Sequence, residues 1–200
     1  MDMHFRESET AKNLMRAFAG ESQARNRYTL AAGQAKKEKQ YVLSAVFKFT
    51  ADQEKEHAEI FYGHLTELAG ENLFIDGGYP VDISQDLAKL LRMAEHNEFE
   101  EHDDVYKHFG DVARQEGFAK IAADFHNIAL IEKTHGERFG QFAQLVEENK
   151  LFISDVETGW MCLNCGHIYT GKEAPKVCPV CRHDQGYFIR LTMAPFTCCP

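Results

Sequence analysis

No cysteine precedes position 162, and all six crowd into the last 39 residues of a 200-residue chain. A secreted disulfide scaffold spreads its cysteines through the fold. This distribution argues against one and for a local metal module. Positive charge is also scarce. The 22 Lys and Arg face 31 Asp and Glu, and a net charge of -9 argues against nucleic acid as a partner. No apolar run reaches membrane-spanning length, and the opening MDMHFRESETAKNLM lacks the apolar stretch of a signal peptide. No membrane partner is therefore expected, and a cytoplasmic location is the default. No Gly-x-Gly-x-x-Gly follows a strand pattern, so the chain carries no recognisable dinucleotide site.

What the chain has in quantity is helical periodicity. Four long amphipathic segments are readable. The first spans about Glu7 to Lys37, with Leu14, Phe18, Ala24 and Tyr28 on one face. The second spans about Gln40 to Ala69, with the stripe Leu43, Phe47, Thr50, Glu54, His57, Phe61, His64, Leu68. A Gly/Pro-marked connection, GENLFIDGGYPVDIS, is too long for a tight hairpin. The third helix is expected to begin after Ser84, a suitable N-cap, with the stripe Leu87, Leu91, Ala94, Glu98, Glu101, Val105, Phe109. The fourth follows Gly117 and reaches about Glu148, with Ile121, Phe125, Ile128, Phe139 and Phe142 on its buried face. Two helix pairs joined by a long crossover have the connectivity of an all-α, ferritin-like four-helix bundle.

The stripes are interrupted by charge. The fourth passes through Glu132 and His135, the second through Glu54 and His57, the third through Glu98 and Glu101, and the first through Glu21. A buried, unpaired carboxylate costs several kcal/mol or titrates away. These residues therefore need a buried cation, a water-filled cavity or a metal. A spacing of three puts both side chains of a pair on one helix face, one turn apart. The halves of the chain repeat: Glu21 to Glu54 is 33 residues, and Glu98 to Glu132 is 34. In each half a helix bearing Glu precedes a helix bearing Glu-x-x-His. Four helices hold two metal ions in this way, and two divalent ions would neutralise most of the inward carboxylate charge. Oxygen-rich ligation with two imidazoles suits iron or manganese. Within AEHNEFEEH, Glu98 and Glu101 lie on the stripe, while Glu95 is read as a solvated flank residue.

The cysteines form two Cys-x-x-Cys knuckles, Cys162/Cys165 and Cys178/Cys181, separated by 12 residues. That spacing specifies a tetrahedral sulfur site, with zinc the default occupant that spacing alone does not exclude. Gly166 allows the turn that aims backbone N–H groups at the thiolates, and Pro179 stiffens the second knuckle. Trp160, Tyr169, Tyr187 and Phe188 are expected to form the small core around the site. Cys198 and Cys199 fall outside both knuckles and read as exposed thiols.

With these residues in place, the chain resembles the rubrerythrins over nearly its whole length. The blocks AFAGESQARNRY, DQEKEH, EGFAKIAADFHNIALIEKTHGERF and CLNCGHIYTGKEAPKVCPVC match the family's order. The last resembles a rubredoxin domain and raises iron over zinc. Glu98, Glu101 and Tyr106 fit the family's third-helix pattern, with two departures: Asn97 stands where Gly is usual, and Lys107 where Pro is common. The resemblance implies residues 1–150 as a diiron bundle, 151–156 as a linker and 157–200 as a small rubredoxin-like β/loop domain. It implies that Glu54 and Glu132 bridge two irons, with Glu21 terminal on one and Glu98 on the other beside His135. Glu101 and His57 would be alternative ligands of the first iron, and Tyr28 and Tyr106 would line the site. It further implies a homodimer that reduces hydrogen peroxide, with one Fe(Cys)4 centre relaying electrons from an external NADH-dependent rubredoxin reductase or a rubredoxin. Two other classes remain open at this point. One is a ferroxidase or iron store using the same bundle. The other is a non-catalytic metal sensor or scaffold with zinc in the knuckles.

Overall fold

The computed structural model describes residues 5–195. Cys198 and Cys199 lie outside them. Helix α1 spans Glu9–Lys37, α2 Tyr41–Gly63, α3 Leu87–Glu100, α4 Tyr106–Gln115 and α5 Ala119–Glu147. α3 and α4 are joined without a break by a π-helical segment, Glu101–Val105, so the bundle has four helical rods. α1 packs along α2, and α3–α4 along α5.

Local chemistry sets the ends of the helices. Ser8 caps α1, its hydroxyl accepting from the Ala11 N–H at 3.0 Å. α1, α4 and α5 end alike: Lys39, Gly117 and Asn149 adopt positive φ, and the next residue's N–H reaches back to the carbonyls of Ala35, Ala113 and Leu145. That 6→1 closure satisfies carbonyls the helix would otherwise leave bare. α3 is capped by Asp86, which accepts from the N–H groups of Ala88 and Lys89. The expected cap, Ser84, instead supports Asp86 from two residues upstream. α2 stops at Gly63, short of the expected Ala69, and a 3-10 turn, Thr66–Leu68, follows. His64 therefore leaves the buried stripe and pairs with Asp124 at 2.7 Å.

The π-helical segment changes the reading of the third stripe. Its extra residue advances the helical phase, so the face beyond Glu101 is not the one simple periodicity extends. Tyr106, Gly110 and Ala113 are buried, while Val105 and Phe109 are only partly so. The second and fourth stripes are buried as expected through their centres, and so is the first apart from Phe18, which is partly buried and stacks on Tyr62. Two apolar clusters result. One holds Tyr28, Phe47, Leu91 and Phe139. The other holds Leu14, Phe61, Tyr106 and Phe125. The carboxylates and imidazoles lie on the same rods between them, where the bundle gives up an apolar layer.

Strands β1 (Ile153–Cys162), β2 (Ile168–Glu173) and β3 (Phe188–Arg190) form an antiparallel sheet in the order β2-β1-β3. β1 begins inside the stretch expected as linker. Trp160 and Phe188 fill the small core with Cys162 and Cys178, and the indole N–H donates to the Gly171 carbonyl at 2.9 Å. Tyr169, the cross-strand partner of Trp160, lies 40% exposed, contrary to expectation, with its ring turned over Gly171. Tyr187 is half-buried and stacks on Tyr41 of α2 at 4.0 Å.

That stacking draws the small domain onto the α1–α2 turn so closely that Gly186 has no room for a side chain. A Cβ there would overlap the Lys39 carbonyl oxygen, which is backbone and cannot swing away. Gly186→Ala is expected to lift the module from the bundle. Limited proteolysis between residues 148 and 153 should speed up, and equal cleavage of both proteins would contradict this packing.

Candidate metal centres

Each helical rod delivers its polar residues to one level of the bundle. Two donor sets form, and in each one donor atom per residue lies within 4.8 Å of all the others. The first set is Glu21, Glu54, His57 and Glu132; the second is Glu54, Glu98, Glu132 and His135. All six residues are buried.

The two shared carboxylates divide their oxygens between the imidazoles. Nδ1 of His57 lies 3.1 Å from Oε2 of Glu54 and 3.0 Å from Oε1 of Glu132. Nδ1 of His135 lies 3.1 Å from Oε1 of Glu54 and 2.9 Å from Oε2 of Glu132. Glu21 approaches only His57, at 3.7 Å, and Glu98 only His135, at 3.4 Å. The rings are 5.6 Å apart and nearly parallel. This is the geometry of two adjacent positions joined by two carboxylates, each with its own imidazole and terminal carboxylate.

Most of these donor atoms have no hydrogen-bond partner. Both oxygens of Glu54 and Glu132, one each of Glu21 and Glu98, and Nδ1 of both histidines are buried and unsatisfied. Orphaned buried atoms of this number are costly unless a cation takes them up. The donor chemistry, carboxylate oxygen with two imidazoles, fits a pair of iron ions. Electrostatics agree. Burial, reinforced by Glu132 and Glu54, pushes Glu21 well above the usual carboxylate range. Burial and then Glu54 push Glu98 up to about 8. Burial disfavours charge on the histidines, but Glu132 and Glu54 outweigh it and raise His57 to about 9 and His135 to about 12. Glu132, against the pull of burial, is held at about 2 by His135 and His57. Without a metal the cluster must hold extra protons, and bound cations would replace them.

Glu101 joins neither donor set. It sits in the π-helical segment with its carboxylate facing Gly20. The tyrosines hold the terminal carboxylates: the Tyr106 hydroxyl donates to Oε1 of Glu21 at 2.7 Å, and that of Tyr28 to Oε1 of Glu98. Glu95 is half-buried rather than solvated, held by Arg92 at 2.7 Å and packed on Gly140.

Two further elements escape sequence reasoning. Arg138 donates to Thr50 at 2.9 Å and Gln53 at 3.1 Å, a partly buried positive charge beside the site. Its only signal is its place one turn after His135. Asp82, from the crossover, takes Arg27 of α1 and the Asn97 amide of α3, the latter at 2.6 Å. A segment without periodicity gives no hint of that contact.

The four knuckle cysteines converge likewise. The Sγ atoms of Cys162 and Cys181 are 3.7 Å apart, as are those of Cys165 and Cys178. That is far too long for a disulfide. A tetrahedron with metal–sulfur bonds of about 2.3 Å has edges of about 3.8 Å, so the thiols fit a single ion. The knuckles repeat one another: Gly166 and Arg182 both take positive φ, and their N–H groups donate to the carbonyls of Cys162 and Cys178. The His183 N–H lowers Cys181 to about 5, while burial pushes Cys162 up to about 12.

Comparison with known proteins agrees. The rubrerythrin family model matches residues 12–143, and the rubrerythrin rubredoxin-like domain matches 160–189. Rubrerythrin of Clostridium perfringens is 45% identical over 182 residues, covering 90% of this chain and 93% of that one. Rubrerythrin of Porphyromonas gingivalis is 44% identical over 188 residues, covering 94% and 92%. Among solved structures, mixed-valence nigerythrin superposes with a TM-score of 0.61 at 25% identity, covering 92% of this chain and 90% of that one. Desulfovibrio desulfuricans bacterioferritin shares the fold of the bundle, with a TM-score of 0.65 over 72% of this chain and 84% of that one at 23% identity. Among the described residues no helix is long and apolar enough to cross a membrane. The ferritin-like bundle with its diiron carboxylate site, followed by a four-cysteine rubredoxin-like site, makes this chain a member of the rubrerythrin family.

Proposed function

We propose that this protein reduces hydrogen peroxide to water in defence against oxidative stress. The observation that carries the reading is the split of Glu54 and Glu132 across two imidazoles, on a chain that also carries a four-thiolate site. Glu54 and Glu132 would bridge the ions. Glu21 and His57 would complete one position, Glu98 and His135 the other, and Glu101 would serve the first as an alternative to His57. A reduced diiron pair supplies the two electrons that cleavage of an O–O bond requires, one from each ion.

The chain's residues do the rest. Peroxide needs two protons as well as two electrons to leave as two waters. Tyr28 and Tyr106 hold hydroxyl protons on Glu98 and Glu21, at opposite ends of the donor cluster. The buried carboxylates and the apolar clusters on either side exclude bulk water. The Cys162/Cys165/Cys178/Cys181 site is suited to refill the pair one electron at a time, because four thiolates hold either oxidation state of iron with little rearrangement. The electrons would come from an external NADH-dependent rubredoxin reductase or a rubredoxin, with the protein acting as a homodimer. Free thiols at metal spacing suit a reducing compartment, which supports a cytoplasmic location.

A ferroxidase or iron store is the second reading, and the bacterioferritin-like bundle favours it. The thiolate site weighs against it, since an iron store needs no electron supply of its own. Cys178→Ser separates the two. Under the peroxidase reading, one peroxide equivalent still oxidises the chemically reduced bundle. Turnover with reductase falls at least about a hundredfold. Unchanged turnover would remove the thiolate relay, and a parent protein that shows no turnover with reductase would favour the ferroxidase.

A further inference from the structure

The crossover lies along α1 as a strap, fastened at two points. Arg16 holds Asp76 by its carboxylate at 2.6 Å and by its carbonyl at 2.9 Å. Arg27, three turns further along the same helix, holds Asp82, which Asn97 also grips. Between the fastenings the Tyr79 hydroxyl donates to the Arg16 carbonyl at 3.0 Å, and its ring lies over Gly20.

Beneath the strap is a cavity of about 320 Å³, walled on its inner side by Glu101 and Tyr106. Tyr106 itself touches Glu21, so one side chain separates the cavity from the donor cluster. Gly20 lines the cavity together with Tyr79 and Glu101. A Cβ there would stand 3.7 Å from the Tyr79 ring and 4.0 Å from Oε1 of Glu101. Both are ordinary contact distances, so one methyl group at Gly20 would touch both the strap and the carboxylate.

We propose that this cavity is the entry vestibule for the oxidant, and that Gly20 and Tyr79 form its neck and set specificity by size. This rests on the peroxide reading. A neck that one methyl would bridge passes hydrogen peroxide end-on and rejects a hydroperoxide carrying a branched alkyl group. Tyr79 and Gly20 are specificity-determining residues of the reaction and hold no metal.

Two variants move the neck in opposite directions. Gly20→Ala adds the one methyl the gap accepts without overlap, at a helical position where Ala is the better helix former. It is expected to keep its iron and a thermal midpoint no lower than the parent's, yet to react with hydrogen peroxide at least about tenfold more slowly. Tyr79→Ala opens the neck. It is expected to speed oxidation by tert-butyl hydroperoxide at least about tenfold, with the hydrogen peroxide rate changed less than about threefold. Tyr79→Phe, which keeps the ring, should behave as the parent. Capture of ferrous iron by 2,2′-bipyridine gives a readout independent of peroxide chemistry, and Tyr79→Ala should accelerate it several-fold. Equal bipyridine rates in Tyr79→Ala and parent, or an unslowed Gly20→Ala, would overturn the vestibule. If the parent reacts with neither peroxide, the peroxide reading fails, and the bipyridine rates alone decide whether entry runs under the strap.

Discussion

Glu132→Gln is expected to empty both bundle metal positions at once. Oε1 of Glu132 faces His57 and Oε2 faces His135, so each position depends on one of its two oxygens. An amide keeps a single oxygen acceptor and turns an N–H2 group toward the other ion. Loss of a direct ligand should cost at least about a hundredfold in affinity, the upper end of what disturbing a supporting contact costs. Metal analysis of purified Glu132→Gln should therefore find iron only in the thiolate site. Glu98→Gln provides the contrast. Of the two imidazoles Glu98 approaches only that of His135, so that substitution should weaken one position and leave the other filled. A Glu132→Gln protein with the parent's iron content would mean that the two positions are not joined as the geometry places them.

The second large effect is on stability. Metal-free protein is expected to lose thermal stability steadily as pH rises from about 5 to about 9, a range over which metal-loaded protein changes little. The direction follows from proton counting. Glu98, raised from the ordinary 4.5 to about 8, keeps its proton in the folded state where the unfolded chain has released it. Glu21 and Glu101 shift the same way. His57, raised from 6.5 to about 9, and His135, raised to about 12, also hold protons that the unfolded chain gives up. The folded state thus binds more protons throughout the range, and stability falls with pH. Glu132 works the other way, but only as pH falls from about 4.5 toward 2, below this window. A drop in the midpoint on the order of 10 °C is expected, from a few kcal/mol at about 2–4 °C per kcal/mol. Bound cations stand in for the protons, so loading should flatten the profile and release protons. Calorimetry of metal-free and reconstituted protein across the range checks this. A metal-free midpoint that is flat or rises with pH would contradict it.

The bundle and its polar layer were legible because periodicity and chemistry conflict at specific positions. Glu54, His57, Glu132 and His135 stand where Phe or Leu would continue a stripe, and only convergence on a cation explains four such breaks. The knuckles were legible for a similar reason, since thiol spacing alone defines the turn. The π-helical segment at Glu101–Val105 was not. One inserted residue leaves composition and local spacing unchanged, so periodicity points Val105 inward; Tyr106 was placed at the site by the family resemblance alone, and the helix as built turns it inward. Nor was the strap legible. Asp76, Tyr79 and Asp82 are held by residues 15 or more positions away, and nothing periodic marks an irregular segment. Asn97 shows the same limit. As a departure from the family's usual Gly it stood out, but only the structure gives it a partner, Asp82.

The most direct measurement is anaerobic rapid mixing of fully reduced, iron-loaded protein with one equivalent of hydrogen peroxide, following the visible absorption of the ferric thiolate site. A peroxide-reducing bundle wired to its own thiolate iron should restore that colour quickly with peroxide and slowly with dioxygen. If the bundle iron is oxidised while the thiolate site stays colourless, the two centres are not connected and the peroxidase reading fails.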